Sequence, residues 1–274
     1  MNDRGDLARV GIEAKFDHSI SRDQIARESK TVDHLFVLVA HRDDVPVWLR
    51  EEYPGVHVIE WGETLRCFRE PRISEDDLAS IRLMKTTVQR YLQELDLGAR
   101  LPGWKVEVVR GGSGMPGVVI ESPPLADDSR LCGGIEVAGR GMPADLADVL
   151  MVSHIGVSVA EVPENYFDPE VSDVVPIWIE RLRTLDREVI EPRAGEFPIN
   201  TRKPGTSTRP LGRYKTPLAL KHLGAKKAYL AKGYTDGWAI GPKMIGRPLD
   251  ELEDVANATV EIFRRWWEAE AARD

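Results

Sequence analysis

The run Gly11-Ile12-Glu13-Ala14-Lys15-Phe16-Asp17 constrains this chain most, because apolar and charged side chains alternate along it. A β-strand sends successive side chains to opposite faces, so Ile12, Ala14 and Phe16 share one face and Glu13, Lys15 and Asp17 the other. The apolar set is expected to meet the core, which leaves two carboxylates and an ammonium together on the second face. After it come a helical stretch over residues 19–30 carrying Gln24 and an apolar strand over 35–40. A short helix over 43–53, with Pro46 in its first turn, and a strand over 56–61 that ends in Trp61 complete the set. Strands alternating with helices predict an α/β unit over residues 1–70.

The charged face has a chemical use. A carboxylate is a good ligand for a hard divalent cation, and a lysine one alternate position along can orient the water that attacks a phosphodiester. Glu13-Ala14-Lys15, the apolar Ile12 before it, Gln24 on the next helix, the 35–40 strand and the strand ending at Trp61 together resemble the PD-(D/E)XK nuclease superfamily, the restriction-endonuclease-like fold. The resemblance covers roughly residues 6 to 70, and it rests on the order of the elements, since E-x-K alone is common. It implies a mixed sheet, metal-dependent hydrolysis of nucleic acid, and Mg2+ or Mn2+ held by Glu13, the Ala14 carbonyl and a further acidic residue. Lys15 and Gln24 would complete the catalytic set. Glu13 and Lys15 equally fit an ion pair on a solvated sheet edge, the commonest fate of such residues.

The family carries its first acidic ligand on a strand before E-x-K, preceded by another strand and a helix. Here 12 residues precede Glu13, a reach of about 40 Å fully extended. Asp6 is the best candidate for that ligand, because a hairpin with Arg9-Val10 as its loop would set it opposite Glu13; Asp3 is a weaker one. Arg-Val is a poor pair for such a turn. The expectation is therefore a chain that begins late or a degenerate site. Asp17 shares the face of Glu13 but lies beyond the usual ligands.

With 274 residues, 42% hydrophobic and 30% charged, the chain reads as globular, with enough length for a core. It has no apolar run long enough for a membrane span and no signal-like N-terminus, so the cytoplasm is the expected compartment. Cys67 and Cys132 have no ligand-like spacing and read as reduced thiols. Charge is uneven: residues 197–235 carry +9 while the whole chain nets −8, so the rest sums to −17. Arg202, Lys203, Arg209, Arg213 and Lys215 head that basic stretch and are the candidates for gripping nucleic-acid phosphates. The alternative is a basic loop paired with acidic surface elsewhere.

Pro71 marks a boundary. A capping box at Ser74 and Asp77 opens a long helix with Leu78, Ile81, Met84, Val88, Leu92 and Leu95 on one stripe and Gly98 as its stop, linking the first unit to an α+β domain over 99–274. Strands are expected at 104–109, 118–121, 131–138 and 151–162, with a helical turn at 144–149. The glycine-rich loop 111–117 lies between two strands and lacks a P-loop ending, which favours a hairpin over a phosphate cradle. A helix is expected from 169 to 188, regular only from Pro176, then an extended connection over 191–213 and a short helix at 217–223. Paired strands at 228–231 and 238–240 and a terminal helix over 247–272 complete the reading. Trp266 and Trp267 read as core.

His18, His41, His154 and His222 lack partners at catalytic spacing, and nothing marks a nucleophile elbow. The functional expectation is a Mg2+-dependent endonuclease acting on DNA in a defence or repair setting, compatible with a homodimer. The alternatives are a non-catalytic nucleic-acid-binding or scaffold protein built on a truncated nuclease fold, and a small-molecule enzyme that uses the 111–117 loop.

Overall fold

The computed structural model describes residues 8–17, 20–42, 45–70, 74, 83–111, 114–139, 141–160, 162–195, 197, 199, 210–231 and 239–273. The chain divides into two compact units, Met1–Val88 and Gln89–Asp274. Among the described residues no helix is long and apolar enough to cross a membrane.

The first unit alternates strand and helix. Val10–Ala14 (β1), Arg22–Glu28 (α1), His34–Val39 (β2), Val47–Glu52 (α2), Val56–Glu60 (β3) and Trp61–Leu65 (α3) follow one another. Helix α1 starts after an extended Ser21, carries Asp23 in its first turn and Arg27 in its last, and so complements the helix dipole. Pro46 is extended and precedes α2 instead of lying in its first turn. The sheet order is β1-β2-β3 and both pairings are parallel, so the expected mixed sheet is corrected to a parallel one.

Ile25 of α1 and Leu49 of α2 pack in one cluster with Leu35, Val37 and Val39 of β2, and Val56 and Val58 of β3 lie against it. Both helices therefore cover the same face of the sheet. Gly11 lies on that face: a Cβ there would stand 3.1 Å from the Val32 side chain. The alternation then sends Glu13 and Lys15 under the helices and turns Val10 and Ile12 outward, 56% and 67% exposed. This reverses the phase read from the sequence, in which Ile12 and Ala14 face the core. Close packing at Gly11 selects the register that buries the charged pair.

Met84–Glu94 (α4) follows, and the boundary between units falls within it. Its stripe of Met84, Val88, Leu92 and Leu95 is buried, as the helical spacing predicts. Its N-terminus is capped from far off in sequence: Lys85 N and Thr86 N donate to the Asp17 carboxylate at 3.1 and 3.0 Å, and Thr86 Oγ1 does so at 3.1 Å. Asp17 holds a left-handed backbone (φ 52°), which Asp tolerates better than most residues. The helix ends before Asp96 (φ 44°), and Gly98, the expected stop, lies inside the short helix Leu97–Arg100 (α5).

The second unit is built on an antiparallel sheet of Lys105–Arg110 (β4), Pro116–Glu121 (β5), Leu131–Val137 (β6), Leu150–Val157 (β7) and Arg247–Pro248 (β8), in that order. β4 and β5 form the hairpin expected around the glycine-rich loop, closed by Gly111 N donating to Met115 O at 2.9 Å. Residues 146–148 form the expected helical turn. The helices are Ile177–Thr184 (α6), which continues as a π-helical turn over Leu185–Ile190, then Pro210–Leu223 (α7) and Leu252–Ala271 (α8). Regular helix does begin after Pro176, whereas α7 starts seven residues before the expected 217. Ala228–Ala231 is a 3-10 helix, not a strand; of the expected second strand, Ile240 pairs with Val157 of β7 instead, and residues 232–238 lie outside the described residues.

Helix α8 buries Leu252, Val255, Ala256, Thr259, Phe263 and Trp266 at helical spacing, and its Phe263 reaches the backbone of β6 at Gly133. The centre of the sheet leaves no room there. A Cβ at Gly134 would come within 1.9 Å of the Val118 carbonyl oxygen. On the buried face of α8, Glu270 is 1% exposed and accepts from both Arg181 Nη1 and Trp266 Nε1, so a buried carboxylate is matched by a buried guanidinium.

Two stability measurements check this description. Gly134→Ala is expected to cost about 3 kcal/mol or more, since a backbone carbonyl cannot move aside, whereas Gly98→Ala, with open space at its Cβ, gains up to about 1 kcal/mol. Denaturant unfolding that ranks the two alike contradicts the close strand approach. Asp17→Ala removes the cap of α4 and should cost about 1–2 kcal/mol, while Asp17→Asn retains most of it. Equal losses for the two would show that the cap contributes nothing.

Candidate functional site

Strand β1 and helix α1 bring three of the expected residues together. Lys15 Nζ lies 2.7 Å from Glu13 Oε1 and donates to Gln24 Oε1 at 2.9 Å. The two charged side chains are 15% and 17% exposed, so their attraction is less screened than that of a surface pair. Gln24 is itself oriented, because its Nε2 donates to Glu28 Oε1 at 3.0 Å. The order carboxylate, ammonium, amide, carboxylate thus runs from β1 across to α1. It sits at the C-terminal end of β1, the end of a parallel sheet outside which open α/β folds bind ligands.

Lys15 N donates to Leu38 O at 2.8 Å, which fixes how the β1 backbone faces. Peptide groups at 11, 13 and 15 point toward β2; those at 12 and 14 point away, to the outer edge of β1. The Ala14 carbonyl therefore opens on the side of the strand away from β2, one residue along from Glu13. Both are hard oxygen donors of the kind that Mg2+ takes. Among the described residues no group of three His, Cys, Asp or Glu side chains converges as a metal site. Asp6, the expected additional ligand, lies outside the described residues, as does Asp3.

Asp17 does not join this cluster, because its carboxylate is spent on the N-terminus of α4. Glu28 is the member that the sequence reading missed. Its signal was available: Gln24 and Glu28 are four apart on one helix face. At the end of β3, Glu60 N donates to Glu63 Oε2 at 3.1 Å, and Arg42 binds the Glu63 carboxylate at 3.0 Å. The helix-start and Arg42 bonds hold Glu63 below the usual carboxylate range.

The basic stretch is less available than its composition suggests. Arg202, Lys203 and Arg209 lie outside the described residues. Arg213 is exposed on α7, with its guanidinium over the Tyr214 ring. Lys215 is corrected: it is 2% exposed in the core, and burial pushes its ammonium down to about 8, so it offers no grip on a phosphate. Lys227 is held by Asp186 and by Glu191, and Lys221 by Asp173 at 2.7 Å. Pairing with acidic residues elsewhere accounts for these two. Cys132 is buried, and burial raises its thiol to about 12, as for an inert core cysteine.

No protein-family model matches this chain, and neither a curated protein nor a solved structure matches it.

Proposed function

We propose that the chain is a metal-dependent nuclease whose reacting centre is built on Glu13, Lys15 and Gln24, with DNA as the substrate. The observation that carries this reading is the placement of Lys15 Nζ, held from two sides by Glu13 and Gln24 at the C-terminal end of a parallel strand. A structural ion pair needs only its partner. A neutral amide that fixes the ammonium on the second side, itself fixed by Glu28, is the arrangement expected of a group that must stay in one place.

The Glu13 carboxylate and the Ala14 carbonyl would hold Mg2+ or Mn2+, with Asp6 as the further ligand that the resemblance implies; an ion with one or two carboxylates keeps several waters. Bound there, the metal would polarise the phosphate and lower the pKa of a bound water. Lys15 orients the attacking water and donates hydrogen bonds to the oxygens on which negative charge develops. Gln24 contributes no charge; it limits the rotamers of Lys15 and so reduces the ordering cost in the transition state. Glu28 fixes which end of the Gln24 amide faces Lys15. Exposed Arg213, with Arg202, Lys203 and Arg209, would supply phosphate contacts whose strength falls steeply with salt.

Cleavage of supercoiled and linear DNA by the purified chain with Mg2+ or Mn2+ tests this. Glu13→Gln and Lys15→Ala should each lower the rate about 100-fold or more, Gln24→Ala roughly 10-fold, and EDTA should abolish it. Unchanged cleavage by Lys15→Ala overturns the mechanism. A folded chain that binds DNA with a steep salt dependence but never cuts it points instead to a non-catalytic nucleic-acid-binding protein.

A further inference from the structure

The second unit contains a cavity of about 180 Å³ where the turn after β5 meets the start of α6. Its lining joins apolar Val157, Val159, Ile177 and Trp178 to polar Ser158 and Arg181 and to the exposed Asp127 and Asp128. The volume lies below the roughly 300 Å³ at which pockets for drug-sized molecules begin, so the space suits a group the size of one side chain. Ile177 at the rim is 46% exposed, which leaves apolar surface beside the opening.

The charges decide what kind of group. Arg181, in the wall, has Nη1 on Glu270 and Nη2 at 3.1 Å from Asp127 Oδ1, so its charge is already balanced. Ser129 N and Oγ donate to that same Oδ1 at 3.3 and 2.7 Å. All three of these bonds fall on one oxygen, and Oδ2 of Asp127 has no partner among the described residues. Burial pushes Asp127 upward, but Ser129 and Arg181 outweigh it and leave the carboxyl below its ordinary range, hence ionised at neutral pH. Asp128 adds a second carboxylate. The N-terminus of α6 contributes about half a positive charge, too little to offset two. Neighbouring donors are turned inward: Trp178 Nε1 donates to Asn165 O at 2.9 Å and Asn165 Nδ2 to Ala160 O at 3.0 Å. An anion would meet two carboxylates at the same opening.

We propose that this cavity binds a primary alkylammonium group, with its nitrogen at the Asp127 and Asp128 carboxylates and its methylene chain against Val159 and Ile177. The amine is either a free small molecule or the end of a lysine side chain on another polypeptide. Burial of the methylene chain favours binding, and the charge-assisted hydrogen bonds set the preference for a cation.

Calorimetric or NMR titration of the full chain with n-butylammonium, Nα-acetyl-lysine amide, 1-butanol and pentanoate tests this. Saturable binding of butylammonium is expected, with butanol about 10-fold weaker and pentanoate without effect. Asp127→Asn should weaken the amine about 10-fold. Asp127 is tied to Ser129 and Arg181, so Asp128→Asn is the second variant; Asn tolerates the left-handed backbone at that position (φ 62°), and a loss of several-fold is expected there. Acetyl-lysine amide binding at least as tightly as butylammonium identifies the polypeptide source, and tighter binding of the free amine identifies the small molecule. The proposal is overturned if the folded chain fails to bind butylammonium at tens of millimolar. It is equally overturned if pentanoate binds as well as the amine, or if both Asn variants leave butylammonium binding unchanged.

Discussion

The phase of β1 decides everything that the first unit can do. A strand has two faces, and a shift of one residue exchanges them. In the observed phase Gly11 takes the place where β1 passes closest to Val32, and Glu13 and Lys15 are carried under the cover of α1. Burial of that pair then demands satisfaction of its polar atoms, which Lys15 obtains from Glu13 and Gln24. In the opposite phase the same residues would form an exposed pair of little consequence. Val10 and Ile12 bear the cost, exposed on the other face of a sheet type that usually has both faces covered.

The second unit solves a comparable problem differently. Arg181 and Glu270 are both nearly inaccessible and 89 residues apart in sequence. An ion pair in that position is rarely more stable than well-packed apolar residues of the same size. It does fix one docking of α6 against α8, because either partner left alone would be a buried unpaired charge. Trp266 and Asp127 extend the network to the core on one side and to the cavity mouth on the other. The polarity of the cavity is thus a consequence of how the helices are pinned.

Local signals in the sequence were sufficient for most elements. Alternation located β1, Pro176 located the start of α6, and the spacing of Met84, Val88, Leu92 and Leu95 located α4. Gln24 was legible as a residue near Glu13 and Lys15 only through the family resemblance, and its bond to Lys15 was not read from the sequence. The phase of β1 was not legible, since it depends on a tertiary contact at Gly11. Ala228–Ala231 failed for another reason: a short apolar run of four residues does not separate strand from helix. The end of α4 was missed because Asp96, not glycine, adopts the left-handed conformation there. Asp17 shows the limit most clearly, since its role is set by a backbone 68 residues away.

Charge in residues 197–235 illustrates why composition alone overstates a binding surface. A cation contributes to a phosphate grip only if it is both ionised and accessible. Lys215 is inaccessible, and burial favours its neutral form. Lys221 and Lys227 are accessible but would have to leave carboxylates that already hold them. Exchange of one acidic partner for another returns little free energy, because the desolvation of both is met again. Among the described positions of the sequence-based phosphate set, Arg213 alone is exposed, so the grip expected of this stretch rests on it and on Arg202, Lys203 and Arg209.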